Sequence, residues 1–293
     1  MATNLTGKVV LVTGATAGIG EVTARELARM GATVVGIGRN PQKCADVAAS
    51  IRSQTGNQAV EYLVADLSSM HEIIRVTDEF RSKYQRLDLL INNAGAYFQQ
   101  HKVSVDGFEM TFALNHMNYF LVTRQLLDML KASAPSRIVN VASGAHTAGK
   151  LDFADLQMTQ KYGSWRAYAN SKFANVVFTY ELARRLQGSG VTANTLHPGF
   201  VASDFAMNNN QGALAKVILA IFKPLRNLVA ISVDKGAETQ IFLATSPTVE
   251  GVSGKYFDKK QAVKSAPLTY DEATGRQLWQ VSEELLQGLS IIS

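Results

Sequence analysis

A glycine-rich turn near the N-terminus constrains the fold more than any other segment. Gly14, Gly18 and Gly20 follow the short apolar run 8–12 and precede the amphipathic stretch 21–30. The run is β-branched, as in a buried parallel strand, and the stretch repeats apolar residues at helical spacing. A strand, a glycine turn and a helix N-terminus suit a dinucleotide pyrophosphate, although the spacing is not the usual Gly-x-Gly-x-x-Gly. A tight turn that binds no ligand is the alternative.

Strand-like and helix-like segments alternate along the rest of the chain. Such alternation implies right-handed crossovers and a parallel sheet covered by helices on both faces. We therefore predict an α/β fold, a single Rossmann-type doubly wound domain over 1–293 with about seven parallel strands. Beyond the glycine turn, the predicted strands are 33–38, 59–65, 87–91, 137–142, 192–196 and 255–257, and the predicted helices are 42–55, 69–84, 108–132, 165–187 and 271–286.

Composition excludes several classes of function. The single cysteine, Cys44, excludes an intramolecular disulfide and a cysteine-based metal site, and no cluster of His, Asp and Glu requires a metal. The net charge of +5 is scattered, which suits an anionic cofactor but predicts no nucleic-acid partner. The N-terminus lacks signal-peptide character, and no uncharged apolar run reaches the roughly 20 residues of a spanning helix. We expect a cytoplasmic protein.

Tyr168 and Lys172 form the second informative feature. They lie four residues apart in a predicted helix, which places both side chains on one face. We expect the Lys172 ammonium to lower the pKa of the Tyr168 phenol from about 10. Such a tyrosine exchanges a proton with a carbonyl or alcohol oxygen near neutral pH. The spacing is common in helices, so its weight comes from the accompanying glycine turn.

Together these motifs resemble the short-chain dehydrogenase/reductase family over about 5–286. The resemblance also rests on Asn92-Asn93-Ala94-Gly95, Asn115, Ser143 and Pro198-Gly199, which stand in the order of that family. It implies hydride transfer between a nicotinamide cofactor and a CH–OH group. Tyr168 would be the general acid/base, Ser143 would hydrogen-bond the substrate oxygen, and Lys172 would hold the nicotinamide ribose. Asn115 would fix a water that connects Lys172 to solvent.

Arg39, at the end of the second predicted strand, bears on the choice of cofactor. An acidic residue there would bind the NAD ribose, whereas an arginine accommodates the NADP 2′-phosphate. We therefore expect NADP, with NADPH preferred over NADH; a merely solvated arginine is the alternative. Asp66 would meet the adenine, or cap the next helix. The cofactor contacts implied by the resemblance are Gly14, Thr16, Gly18, Ile19, Gly20, Arg39, Asn40, Asp66, Leu67, Asn93, Ala94, Gly95, Tyr168, Lys172, Pro198, Gly199, Val201 and Ser203.

Several segments have local sequences similar to those of the retinol-dehydrogenase-like branch. They are 114–116, 143–146, 167–175, 196–199 and 252–257. This implies a bulky, apolar, retinal-like aldehyde or ketone. Other readings stay open: an enzyme acting on a sugar or steroid, a non-catalytic NADP(H)-binding sensor or scaffold, and a light-dependent protochlorophyllide-reductase-like enzyme. The last lacks its expected cysteine near the tyrosine helix.

Substrate access is expected to depend on 200–233. Its apolar stretch 213–226 is interpreted as a lid, a membrane-touching interfacial helix or a core helix, and the lid is favoured. Apolar residues of 144–164 would form the opposite wall. The resemblance implies homodimers or homotetramers through the Asn115 and Tyr168 helices, or a monomer. His116, His146 and His197 are interpreted as supporting or packing residues.

Overall fold

The structure is a computed structural model that describes residues 4–200 and 231–291. In these ranges one sheet has the strand order β3-β2-β1-β4-β5-β6-β7-β8. Its strands are β1 (Val9–Thr13), β2 (Thr33–Gly38), β3 (Val60–Val64), β4 (Leu89–Asn92), β5 (Ser136–Val141), β6 (Val191–His197), β7 (Tyr256–Asp258) and β8 (Gln261–Val263).

The predicted Rossmann-type fold is confirmed, with one correction. Strands β1 to β7 are parallel, but β8 pairs antiparallel with β7 and was not predicted. All three residues of β8 are exposed at the sheet edge. The strand therefore has no apolar alternation from which sequence could recognise it.

Helices cover both faces of the sheet. The described helices are α1 (Gly18–Arg29), α2 (Pro41–Thr55), α3 (Met70–Lys83), α4 (Met110–Phe112), α5 (Asn118–Ala132), α6 (Ser164–Arg185), α7 (Val233–Thr245) and α8 (Glu272–Gly288). The predicted helix 108–132 is interrupted, because α4 and α5 are joined by a π-turn at Ala113–Met117. Such π-turns are frequent at functional sites.

Alternate residues of the central strands enter two apolar cores. Leu11, Leu90 and Ile138 pack with residues of α3, α5, α6 and α8, whereas Val10 and Ile91 pack with residues of α1, α2 and α7. Because helices bury both faces of the sheet, the ends of its strands are where a ligand can reach it. In open α/β sheets the ligand lies outside the carboxyl ends of the strands.

The C-terminal helix α8 lies on α5 and α6. The Trp279 ring packs 5.0 Å from Phe120 and 5.9 Å from Phe178, and the Arg185 guanidinium lies 4.2 Å from the Trp279 ring. Arg124 of α5 forms an ion pair with Glu283 of α8. This is the face through which the sequence resemblance implies dimers or tetramers.

Residues 201–230 lie outside the described part of the chain, so the lid and membrane interpretations of 213–226 stay predictions, as does the single domain. The flanks of this segment meet, since Ile231 donates from its N–H to the Phe200 carbonyl at 2.9 Å. Within the described residues, none of the helices has the length and apolar character to cross a membrane.

The wall expected from 144–164 stays a prediction, although three of its apolar residues have other contacts. Phe153 and Leu156 pack against the core on the α6 side, and Met158 is buried. These side chains therefore contribute to the core, whereas the aromatic residues described below line the site.

Candidate active site

The site lies at the carboxyl ends of β1, β4, β5 and β6, where the turn after β1 meets the end of β4. Thr13 is buried, and its hydroxyl accepts from the N–H groups of Asn93 at 2.9 Å and Ala94 at 3.0 Å. Asn93 Nδ2 donates to the carbonyls of Thr13 at 2.9 Å and Gly14 at 3.2 Å. Thr13 was not among the predicted site residues, although it directly precedes the glycine motif.

Two of the three motif glycines are required by close backbone approach. Gly14 has φ of +64°, and a Cβ there would lie 2.8 Å from Ala94 Cα. A Cβ on Gly20 would lie 2.4 Å from both the Gly14 carbonyl oxygen and Asn93 Nδ2. The N-cap residue of α1, Ala17, has no side-chain oxygen to accept from the first N–H groups. These residues fit a dinucleotide pyrophosphate.

The other predicted residues of the glycine turn are Gly18, Thr16 and Ile19, and each has its own structural role. Gly18 has φ of +60°, a conformation that favours glycine. Thr16 packs against Gly38, and a Cβ added to Gly38 would lie 2.3 Å from the methyl carbon of Thr16. The Ile19 carbonyl accepts from Thr23 Oγ1 at 2.7 Å, so Ile19 begins the helix and packs against the core.

Arg39 and Asn40 lie exposed at the end of β2. Asn40 Oδ1 accepts from the Lys43 N–H at 2.9 Å and thereby caps α2. Its side-chain oxygen is therefore used by the helix, whereas Arg39 extends from the same edge of the sheet as the glycine turn. This placement suits a guanidinium that binds a phosphate.

Asp66 and Leu67 follow β3. Asp66 is exposed, and its Oδ1 accepts from the Ser68 N–H at 3.0 Å and from Ser68 Oγ at 2.7 Å. Ser69 caps α3, and Leu67 is buried. Asp66 thus organises the start of the helix while lying at the edge where the adenine contact was expected.

Asn115 lies in the π-turn and is fully buried. Its Oδ1 accepts from the Ala96 N–H at 2.8 Å, and its Nδ2 donates to the Ala96 carbonyl and to Ser171 Oγ, each at 3.0 Å. A Cβ on Gly95 would lie 3.1 Å from Asn115 Oδ1 and 3.3 Å from Lys172 Nζ. Ser171 was missed, although it lies three residues after Tyr168 and thus on the same side of the helix.

Tyr168, Lys172 and Ser143 are brought together between α6 and the end of β5. The side chains of Tyr168 and Ser143 share a hydrogen bond. Lys172 is 3% exposed; its Nζ lies 5.9 Å from the centroid of the Tyr168 ring and donates to the Val141 carbonyl at 3.0 Å. Three of the four predicted catalytic side chains are therefore neighbours.

The expected lowering of the Tyr168 pKa is wrong for this structure. Burial raises the pKa of Tyr168 to about 12, although the hydrogen bond from Ser143 acts to lower it. Burial also lowers the pKa of Lys172 to about 7, because the ammonium loses hydration. Desolvation is the only cause of the Lys172 shift, and Lys172 is not among the causes that act on the Tyr168 pKa.

Aromatic side chains surround Tyr168. Tyr97 packs edge-on against the Tyr168 ring at 5.9 Å and donates from its hydroxyl to Ser164 Oγ at 2.8 Å. The Trp165 ring lies 6.1 Å from the Tyr168 ring and is 57% exposed. Sequence reasoning missed both residues. Their closeness in sequence to predicted site residues could have identified them, because Tyr97 lies two residues after Gly95 and Trp165 lies three residues before Tyr168.

The three histidines interpreted from sequence as supporting or packing residues form hydrogen bonds with other groups of the protein. His116 is buried against Phe112, its Nε2 lies 3.2 Å from Ser282 Oγ, and burial lowers its pKa to about 4. His146 and His197 hydrogen-bond the peptide group that follows Ser143.

Pro198 and Gly199 follow β6 at the same edge of the sheet. Gly199 has φ of +88°, and a Cβ there would lie 2.6 Å from Ile231 Cδ1. The predicted cofactor contacts Val201 and Ser203 fall outside the described residues.

The chain is similar to proteins of known class. The model of the short chain dehydrogenase family matches residues 8–214. Human retinol dehydrogenase 13 is 43% identical over 283 residues, which cover 96% of this chain and 85% of that protein. An uncharacterized protein from Mycobacterium paratuberculosis is 30% identical, with a TM-score of 0.78 and coverage of 98% of this chain and 96% of that chain. The RhlG/NADP active-site complex of Pseudomonas aeruginosa is 28% identical, with a TM-score of 0.67 and coverage of 87% and 95%.

Proposed function

This chain belongs to the short-chain dehydrogenase family and is an oxidoreductase acting on CH–OH groups, and we propose that it interconverts a bulky, apolar, retinal-like carbonyl and its alcohol with NADP(H). Tyr168 acts as general acid/base. The observation that carries the proposal is the side-chain hydrogen bond between Ser143 and Tyr168, with Lys172 Nζ beside the Tyr168 ring. The identity to retinol dehydrogenase 13 supports the substrate class.

A nicotinamide cofactor, when bound, supplies or accepts the hydride at the substrate carbon. Tyr168 donates its phenolic proton to the substrate oxygen during reduction, and Ser143 hydrogen-bonds the same oxygen. Because the pKa of Tyr168 is raised to about 12, the phenol is protonated at neutral pH, which is the form that reduction requires. Lys172, when charged, stabilises the phenolate that proton donation leaves behind. The direction in the cell follows from the cofactor ratio, so NADPH as cofactor favours reduction.

Arg39 supports the NADP preference, because it is exposed at the end of β2 without a role in capping α2. We expect Arg39→Ala to raise the KM for NADPH by about tenfold or more, as loss of one charge-assisted phosphate contact does, and to leave the KM for NADH within about twofold. Equal effects on the two cofactors, or no effect, would contradict this preference. Arg52→Ala, at the far end of α2, is the control.

The aromatic side chains around Tyr168 support an apolar substrate. A panel of retinal, medium-chain aldehydes and small charged aldehydes, each assayed with NADPH, tests this. The proposal predicts that kcat/KM increases with the apolar size of the substrate. Turnover of the small charged aldehydes alone would overturn it.

Tyr168→Phe tests the chemistry itself. Removal of the hydroxyl is expected to lower kcat for retinal reduction by about 10²- to 10⁴-fold, the range of general acid catalysis, and to change NADPH affinity far less than kcat. Wild-type turnover in this variant would remove Tyr168 from the mechanism. The cytoplasmic location stays a prediction, and so does the oligomeric state.

A further inference from the structure

The peptide group between Ser143 and Gly144 is hydrogen-bonded by a histidine at each of its polar atoms. His146 Nδ1 lies 2.7 Å from the Ser143 carbonyl oxygen, and His197 Nδ1 lies 2.9 Å from the Gly144 nitrogen. We propose that His146 and His197 are positioning residues that together orient Ser143 toward Tyr168. The inference rests on the proposed role of Ser143.

The two contacts require opposite tautomers of neutral imidazole. The Ser143 carbonyl can only accept, so His146 carries its proton on Nδ1, and its Nε2 accepts from the Ala266 N–H at 3.1 Å. The Gly144 N–H can only donate, so His197 Nδ1 is unprotonated and its proton lies on Nε2. Each ring is thus assigned by the atom it faces.

Ser143 needs such support because it lies beyond the end of β5. The sheet hydrogen bonds stop at Val141 and Ala142, so the sheet does not orient the next peptide. Ser143 then begins a short 3-10 turn at Gly144–Ala148. The two imidazole bonds restrict rotation of this peptide group, together with the His146 N–H, which donates to the Ser143 carbonyl at 3.1 Å. A small misplacement of a catalytic group is costly.

The rings themselves are held by different parts of the fold. His146 is 2% exposed, and its ring packs 4.7 Å from the Tyr256 ring of β7. His197 is the last residue of β6, and a Cβ on Gly144 would lie 3.3 Å from its Cε1. The turn that begins at Ser143 is therefore connected through His146 to Ala266, in the segment before α8, and through His197 to the end of β6.

Protonation of either ring would place N–H against N–H, at Ala266 for His146 and at Gly144 for His197. Burial lowers the pKa of both histidines, which favours their neutral forms. Asp258 raises the pKa of His197 and Lys259 lowers it, and His197 lowers that of His146. Among the residues that the structure describes, the further titratable groups that pack against these rings or act on their pKa are Tyr256 and Asp258 of β7 and Lys259 of the following turn.

The tautomers can be measured without turnover, so this result does not depend on the proposed function. The chain has five histidines, and long-range ¹H–¹⁵N spectra of ¹⁵N-histidine-labelled protein at pH 7.5 distinguish their nitrogens. His146→Asn and His197→Asn assign the two rings. We expect an Nδ1–H tautomer for His146 and an Nε2–H tautomer for His197. The same tautomer in both rings, or a charged ring, would overturn the inference.

Kinetics then test the positioning itself. His197→Phe removes the acceptor for Gly144, whereas the amide oxygen of His197→Asn can replace Nδ1. We expect His197→Phe to lower kcat by about 10- to 100-fold with unchanged NADPH affinity, and His197→Asn to restore kcat to within about threefold of wild type. The Asn variant should also lose the acidic limb that His197 contributes to the pH profile of kcat.

Equal kcat values for the Phe and Asn variants, or wild-type kcat in His197→Phe, would overturn the positioning role. His71→Asn, on the exposed side of α3, is the control and should leave kcat and the pH profile unchanged. If His197→Phe does not fold, comparison of the His197→Asn and wild-type pH profiles decides the question. An unchanged acidic limb in the Asn variant counts against the inference.

Discussion

Lys172 donates a hydrogen bond from Nζ to the carbonyl oxygen of Val141, 3.0 Å away at the end of β5. The ammonium is buried and no carboxylate is among the causes that shift its pKa, which burial lowers to about 7. A group with a proposed catalytic role is thus held in an environment that disfavours its charge. Such conflicts between stability and chemistry are typical of functional sites.

Lys172→Met is expected to stabilise the protein below pH 7. The ordinary lysine pKa of 10.5 falls to about 7 on folding, so burying the ammonium costs up to about 5 kcal/mol at low pH. Between pH 7 and 10.5 the unfolded chain binds a proton that the folded protein does not. The unfolding free energy of wild type should therefore rise with pH across this window, and that of the variant should rise less.

Urea unfolding at pH 6.5 and 9.5 measures this difference. Lys131→Met, at an exposed lysine near the end of α5, is the control and should follow the wild-type pH dependence. Parallel pH dependence of wild type and Lys172→Met would show that Lys172 is not destabilised by burial.

Ser143→Ala should move the ascending limb of alcohol oxidation, on which the Tyr168 phenolate forms, to higher pH. Oxidation requires the Tyr168 phenolate, and the hydrogen bond from Ser143 acts to lower the Tyr168 pKa. Without it less phenolate is present at any given pH. We also expect about a 10²-fold loss of kcat for reduction, since one hydrogen bond to the substrate oxygen is removed. Rate profiles extended to pH 12, where the Tyr168 phenolate forms, test this, and Ser50→Ala on the exposed side of α2 is the control. A limb that stays in place would contradict the assigned contact.

Gly14→Ala should impair both folding and cofactor binding. Its φ is +64°, and the added Cβ would meet Ala94 Cα at 2.8 Å. Gly56→Ala is a matched control, because its φ is +73° but nothing lies within 4 Å of its added Cβ. We expect about 1–2 kcal/mol of backbone strain in Gly56→Ala, a larger loss in Gly14→Ala, and weaker NADPH binding only in the latter. Thermal unfolding and fluorescence titration measure the two effects. Equal cofactor affinities would separate the glycine turn from the cofactor site.

The two tryptophans should respond oppositely to replacement by alanine. Trp279 is 8% exposed and joins α8 to α5 and α6, so its removal should cost about 3–5 kcal/mol of unfolding free energy. Trp165 is 57% exposed beside Tyr168, so its removal should change stability by less than about 0.5 kcal/mol. Instead, Trp165→Ala should raise the KM for bulky apolar carbonyls. An unchanged KM would exclude Trp165 from the substrate wall.

Regular elements with a strong local pattern were predictable, because buried strands appear in the sequence as short apolar runs and amphipathic helices as apolar residues at helical spacing. The run 33–38 became β2 at the same bounds, and 137–142 became β5 shifted by one residue. The π-turn at Ala113–Met117 left no such pattern, since it changes only the hydrogen bonding within a helix. No bounds were predicted for α7, whose N-terminal half is polar and contains Gly236.

By itself, the sequence determined the order of strands and helices and the set of polar residues at the strand ends, because both depend on local composition and spacing. Only the tertiary structure decided the charge state of Tyr168 and Lys172, because desolvation depends on what surrounds a group and not on its neighbours in the chain. It likewise decided that His146 and His197 meet at one peptide, since parallel strands far apart in sequence end side by side.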